Sequence, residues 1–260
     1  MQKDKAVKIY FLGTGTSQGI PVIGSHHSVC LSSDEKDKRL RVSVWIETKN
    51  TSIVIDCGPD FRQQMLNSKC QKIDALLFTH EHADHTAGLD DIRPFFFKQG
   101  AIPIYAHQRV LKNLERRFDY IFETENKYPG APSIIENEVV NDQPFSVNDE
   151  IIVPINAFHG SLQVFGYRIQ DFVYLTDVKT MDTSEIDKIK ECKVLVVNCL
   201  REEPHNTHFN LEEVLHFISL VRPKTTYLTH ISHLFGFHEE IQKKLPENVF
   251  VAYDNLEINI

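Results

Sequence analysis

The segment Thr79-His80-Glu81-His82-Ala83-Asp84-His85 puts three imidazoles and two carboxylates into seven residues, directly after the apolar run Ala75-Leu76-Leu77-Phe78. A buried strand ends where its apolar side chains end, and the next residues turn out of the sheet. Histidines two apart in an extended turn can both reach one metal ion. Asp84 and His85 then point a few ångströms away, toward a second ion. Neutral imidazole and carboxylate are ligands that zinc, manganese and iron accept. A lone histidine reads as a surface residue, but this spacing after a strand reads as a metal site.

Three more segments repeat the device. Ile151 to Phe158 ends at His159, Phe172-Val173-Tyr174-Leu175-Thr176 at Asp177, and Thr225-Thr226-Tyr227-Leu228-Thr229 at His230. Each run is β-branched and aromatic, the signature of a strand, and carries a ligand-type residue at its carboxyl end. Neighbouring strands bring such ends to one edge, where open α/β folds place their sites. Singly, each residue could be an ordinary polar strand end. Together with the motif they read as ligands.

Periodicity supplies the elements that must hold these residues. Strands are expected near 7–12, 42–48, 52–56, 74–78, 102–105, 134–140, 151–158, 162–168, 172–176, 194–197, 225–229 and 249–252. Helices are expected near 60–67, 107–121, 183–190 and 211–221, with another opening near His85. Asn210 and Glu213 make a capping-box pattern for the helix at 211–221. Strands dominate each half and helices punctuate them, which predicts an α+β fold of two packed mixed sheets with helices outside. The segment Gly13-Thr14-Gly15-Thr16-Ser17-Gln18-Gly19 follows a strand, but Ile20-Pro21 stands where a dinucleotide-binding helix would open. It reads as a turn lining the site rather than a phosphate loop.

The chain has 260 residues, 42% of them hydrophobic, enough for a large core in one domain over residues 1–260. No apolar run approaches the length of about eighteen residues that a membrane span needs. The charged start Met1 to Val7 lacks the apolar stretch of a secretion signal. The five cysteines (Cys30, Cys57, Cys70, Cys192, Cys199) include no Cys-x-x-Cys pair, so free thiols in a reducing cytoplasm are expected. A net charge of −8 without a basic run argues against a grip on long nucleic acid. A small-molecule substrate and no membrane partner are expected; a homodimer is left open.

The set His80-x-His82-x-Asp84-His85, His159, Asp177 and His230 resembles, in order and along nearly the whole chain, the metal-binding pattern of the metallo-β-lactamase superfamily. Asp56-Cys57-Gly58 resembles its Asp-x-Gly element, whose aspartate supports the site from behind the ligands. Gly13-Thr14-Gly15, Gln18-Gly19-Ile20-Pro21, Asn206-Thr207-His208 and Thr229-His230-Ile231-Ser232-His233 are similar to the phosphoribosyl cyclic phosphate phosphodiesterases of the carbon–phosphorus lyase pathway. The resemblance implies an αββα sandwich and a phosphodiesterase using two divalent ions, zinc or manganese, with iron also compatible. His80, His82 and His159 would hold one ion, Asp84, His85 and His230 the other, and Asp177 would bridge them. Two ions about 3.5–4 Å apart acidify a shared water and neutralise charge on a phosphoryl oxygen. Asp84 and His208 are the expected catalytic residues, His208 as the acid that protonates the leaving group, with His205 as the fallback.

Relatives with this N-terminal loop often hold an additional structural zinc through cysteines. Here the corresponding positions are Ser25, His27 and Cys30, with His233 as the later partner and His26 as a substitute ligand. A serine hydroxyl is a poor ligand, and such tetrahedral sites want four good ones. Rival readings are a transfer-RNA 3′-end nuclease, which would need a basic arm, and a glyoxalase-type thioester hydrolase, separable only by substrate. A flavodiiron protein would carry glutamate in place of His82.

Overall fold

In the run Val194-Leu195-Val196-Val197, Val194 and Val196 enter one apolar layer while Leu195 and Val197 enter another. That alternation is what a strand buried on both faces requires, since successive side chains point to opposite sides. The computed structural model describes residues 7–260; the start Met1 to Ala6, where a secretion signal is not expected, lies outside the described residues. The first half of the chain builds β1 (Lys8–Gly13), β2 (Ser43–Glu47), β3 (Ser52–Ile55), α1 (Phe61–Ser68), β4 (Ala75–Leu77), α2 (Ala83–Thr86), α3 (Arg93–Gln99), β5 (Ile102–Ala106), α4 (Gln108–Arg117), α5 (Asp119–Phe122) and β6 (Ile134–Glu138). The second half builds β7 (Phe145–Val147), β8 (Glu150–His159), β9 (Leu162–Ile169), β10 (Phe172–Tyr174), α6 (Thr183–Ile189), β11 (Val194–Asn198), α7 (Leu211–Val221), β12 (Thr225–Thr229), α8 (His238–Gln242), β13 (Val249–Val251) and β14 (Glu257–Asn259).

The strands form two seven-stranded sheets, ordered β14-β1-β2-β3-β4-β5-β6 and β13-β12-β11-β10-β9-β8-β7. Each is mixed. In the first, β3 pairs antiparallel with β2 and parallel with β4; in the second, β10 pairs antiparallel with β9 and parallel with β11. Between the sheets lies a layer including Phe11, Val44, Ile55, Leu77, Phe165, Tyr167 and Tyr174. Phe61, Phe95, Val110 and Leu114 cover the outside of the first sheet. Val214, Phe217, Ile218 and Val221 of α7 cover the outside of the second. The fold is the expected αββα sandwich.

Several boundaries differ from expectation. The helix expected over 107–121 breaks at Phe118, which leaves helical geometry with φ of −130°, giving α4 and α5. The helix opening near His85 is the single turn α2. The capping box at Asn210 and Glu213 forms as expected. Among the described residues, no helix is long and apolar enough to cross a membrane.

Candidate metal centre

The centre is built at the carboxyl ends of β4, β8, β10 and β12, where the chain turns sharply. Asp56, Asp177 and His230 follow β3, β10 and β12 with φ of 63°, 57° and 57°, in the left-handed region that non-glycine residues rarely adopt. Such conformations cost of order 1–3 kcal/mol each and survive where surrounding structure over-determines them. Gly58 sets the approach of the motif turn. A Cβ at this position would stand 2.0 Å from the carbonyl oxygen of Asp84, so only glycine lets the two segments meet. On the opposite side, the glycine-rich turn runs beside the end of β12, with Thr16 N–H donating to the Ile231 carbonyl at 3.1 Å and Ile231 N–H to the Thr14 carbonyl at 2.9 Å.

Asp56, fully buried, orients two of the imidazoles. Its Oδ2 accepts from His85 Nδ1 at 2.7 Å and from the Thr79 hydroxyl at 2.8 Å. That hydroxyl therefore accepts, at 3.0 Å, from His80 Nδ1. With Nδ1 of His80 and of His85 engaged in this way, their Nε2 atoms face the site, the arrangement metal-binding histidines use. His159 is set likewise: its Nδ1 donates to the Thr207 carbonyl at 2.8 Å.

The free nitrogens converge. His80 Nε2 lies 2.9 Å from His82 Nδ1, near the roughly 3.4 Å that bonds of about 2.1 Å impose between tetrahedral ligands. His85 Nε2 is 3.2 Å from both Asp84 Oδ2 and Asp177 Oδ2. His230 Nε2 is 3.3 Å from Asp177 Oδ1 and 3.8 Å from Asp84 Oδ2. Donor atoms within 4.8 Å of one another fall into the groups His80–His85–Asp177, Asp84–His85–His230 and His159–Asp177–His208. The second is the expected second ligand set, whereas the expected first set, His80, His82 and His159, does not form one such group among the described residues. Asp177 belongs to two of the groups, and His208 sits closer to the ligands than expected of a residue acting only on a substrate.

A metal fits this arrangement. His85 Nε2, both nitrogens of His230 and Nδ1 of His208 are buried without a hydrogen-bond partner, a costly state unless something else engages them. The charges agree. Burial opposes a charged His85, yet Asp84, Asp177 and Asp56 outweigh it and hold its pKa well above the ordinary value. Asp84 and Asp177 lie well below theirs, the pull of His85 and His230 outweighing burial. Three carboxylates thus demand positive charge at one point, which divalent cations satisfy. Burial, and then His85, keep His80 neutral, as a ligand must be.

The loop trio behaves differently. The rings of His27 and His233 meet edge to face at 5.1 Å. His27 Nδ1 accepts from Val29 N–H at 3.3 Å, and Cys30 Sγ accepts from Val22 N–H at 3.5 Å. Among the described residues their donor atoms form no converging group. His26 is exposed. The ring of His205, half-buried, lies 5.1 Å from that of His208, tilted by 36°. Sequence reasoning missed Thr79 and the Thr207 carbonyl as orienting partners; a threonine preceding the first ligand is the signal for the former.

The β-lactamase superfamily domain matches residues 51–231, a span that includes all seven expected ligands and His208. A crystal structure of a new diphosphatase from the PhnP family superposes with a TM-score of 0.91 at 34% identity, covering 98% of this chain and 97% of that one. An octanoyltransferase of Porphyromonas gingivalis is 40% identical over 253 residues, 96% of this chain but 51% of that protein. Ribonuclease Z of Bacillus subtilis is 30% identical over 171 residues, 64% of this chain and 49% of that protein. The chain thus spans about half the length of these curated relatives. With its two-sheet architecture and convergent histidines and aspartates, the chain belongs to the metallo-β-lactamase superfamily.

Proposed function

We propose that this protein is a hydrolase, a two-metal phosphodiesterase acting on small phosphate diesters, cyclic ribose phosphate diesters foremost. The observation that carries the reading is Asp177, whose carboxylate groups within 4.8 Å with donor atoms of residues from both expected sets, His80 and His85 in one cluster and His159 in another. His80, His82 and His159 would hold one ion, Asp84, His85 and His230 the other, and Asp177 would be shared. Zinc or manganese suits this set, and iron is compatible. Bound there, divalent ions would acidify water and neutralise phosphoryl charge.

The chain's own groups orient and move protons. Asp56 and Thr79 engage Nδ1 of His85 and His80 and so aim their Nε2 atoms at the site. His208 lies with its ring 4.5 Å from that of His159 and 4.8 Å from that of His230. Burial, and then the neighbouring His230, push its pKa down to about 3. An anionic diester beside the ring acts in the opposite direction, so the proton taken up with substrate is the one delivered to the leaving oxygen.

The likeness to a PhnP-family diphosphatase supports phosphate chemistry at this site. A ribonuclease-type substrate is disfavoured by the net charge of −8. Acyl transfer through a thiol is disfavoured because all five cysteines are buried, with burial raising Cys70 and Cys192 to about 11. Purified protein loaded with zinc or manganese should cleave cyclic nucleotides or ribose cyclic phosphates faster than diphosphate esters or thioesters. Faster thioester cleavage than any phosphate ester contradicts the proposal; a preference for diphosphates moves the substrate within the phosphate class. The additional loop zinc is excluded if Cys30→Ser leaves metal content and melting temperature unchanged.

A further inference from the structure

Glu81 stands between two expected ligands, and the metal reading leaves it without a role. Its side chain, 16% exposed, is gripped in a two-pronged ion pair by Arg109 of α4, Nε to Oε1 at 2.8 Å and Nη2 to Oε2 at 3.1 Å. The same Nη2 donates to the carbonyl of Gln163 at 2.7 Å. Gln163 lies on β9 opposite Phe158 of β8, the residue before His159. One guanidinium therefore joins the turn carrying His80 and His82 to the hairpin carrying His159, across the boundary between the sheets. Arg117, about two turns further along α4, holds the other end of the motif, with Nη1 2.7 Å from the Thr86 hydroxyl and 3.3 Å from the Glu81 carbonyl.

We infer that Arg109 is a positioning residue for the centre: through Glu81 and Gln163 it fixes the separation of imidazoles contributed by different sheets. The inference rests on the reading that His80, His82 and His159 share an ion. Ligands must be held to within about half an ångström of productive geometry by the shell around them. Only a planar fork can meet a carboxylate with two N–H groups and a carbonyl with a third bond; a lysine ammonium is a single point charge.

Zinc affinity, measured by competition with a chromophoric chelator, tests this in the parent, Arg109→Lys, Arg109→Met, Glu81→Gln and the Glu81→Gln/Arg109→Met pair. Each variant should bind zinc roughly 10–100-fold more weakly, the usual effect of losing an outer-shell partner, with the melting temperature of the metal-free protein retained. The pair should lose no more than the worse single variant, because both residues serve one contact. Glu81→Gln keeps the side chain's shape and decides the matter if an Arg109 variant folds poorly. Affinities within about twofold of the parent, losses that add, or a fall in metal-free melting temperature parallel to the affinity loss overturn the inference. A parent that binds no zinc overturns it together with the metal reading. A parent that binds zinc but cleaves no diester overturns only the phosphodiesterase reading, and the comparison of affinities still decides the clamp.

Discussion

His208 and Asp177 occupy neighbouring positions, Nδ1 to Oδ1 at 3.7 Å, with separable tasks. His208→Ala should keep the bound metal while lowering turnover by roughly 10²–10⁴-fold, the usual contribution of a general acid. The loss should shrink for a nitrophenyl diester, whose leaving group needs little protonation. Steady-state rates on natural-type and activated diesters check this; equal losses on both contradict the acid role. Loss of metal in the same variant would instead place His208 among the ligands, as its grouping with His159 and Asp177 allows. The seven expected ligand positions could be named from the sequence because each follows a strand-like run. Their orientation could not. It depends on which nitrogen meets Asp56, Thr79 or the Thr207 carbonyl, and no spacing encodes that.

Among the elements, the strands where antiparallel pairing gives way to parallel pairing, β3 and β10, both end in a left-handed aspartate, Asp56 and Asp177. Asp56 engages His85, and Asp177 lies beside His85 and His230, so the two sheets contribute matching corners to one candidate centre. Gly58 lets those corners close. Gly58→Ala would drive a methyl group into the Asp84 carbonyl, and the motif turn would have to retreat. The expected cost is about 1–3 kcal/mol of stability, the range for overpacking, with weakened metal binding. Chemical denaturation and metal analysis of the purified variant check it, and a fully metallated variant of parental stability contradicts it. Elements that sequence reasoning missed are those without a clear period. In α3 the run Phe95-Phe96-Phe97 follows Pro94 with no helical spacing, and β14 is short and polar, joined to β1 through its backbone. Arg109 was hidden for a related reason: α4 reads as an amphipathic helix, and a long side chain on its polar face gives no sign of reaching the motif.

The termini of the described chain are drawn together by a buried polar network. Arg39 donates to the Thr14 hydroxyl at 2.8 Å and the Ala252 carbonyl at 2.5 Å, and its Nη2 meets His238 Nδ1 at 3.3 Å. Asp37 accepts from the His238 amide at 2.7 Å. Burial, then Arg39 and Lys36, push the His238 pKa down to about 4, against the pull of Asp34 and Asp37; Tyr253 adds only an edge contact. Because the folded value lies below the ordinary one near 6.5, the unfolded chain takes up a proton between these limits that the folded chain does not. This contribution is fully present above about pH 6.5 and is lost as pH falls toward 4. Urea unfolding midpoints of His238→Gln should therefore vary less with pH across that window than those of the parent. An identical slope contradicts the assignment.

A dinuclear centre organised around one carboxylate makes a stoichiometric prediction. Equilibrium dialysis of the purified protein against zinc or manganese, followed by elemental analysis, tests it most directly, with Asp177→Asn run beside the parent. Asparagine tolerates the left-handed backbone and keeps the side chain's size, so only the charge between the cations is removed. The parent should retain about two equivalents and the variant about one or fewer, because two cations cannot face each other without the shared anion. A parent holding fewer than about one equivalent, or a variant that keeps both ions, contradicts the account.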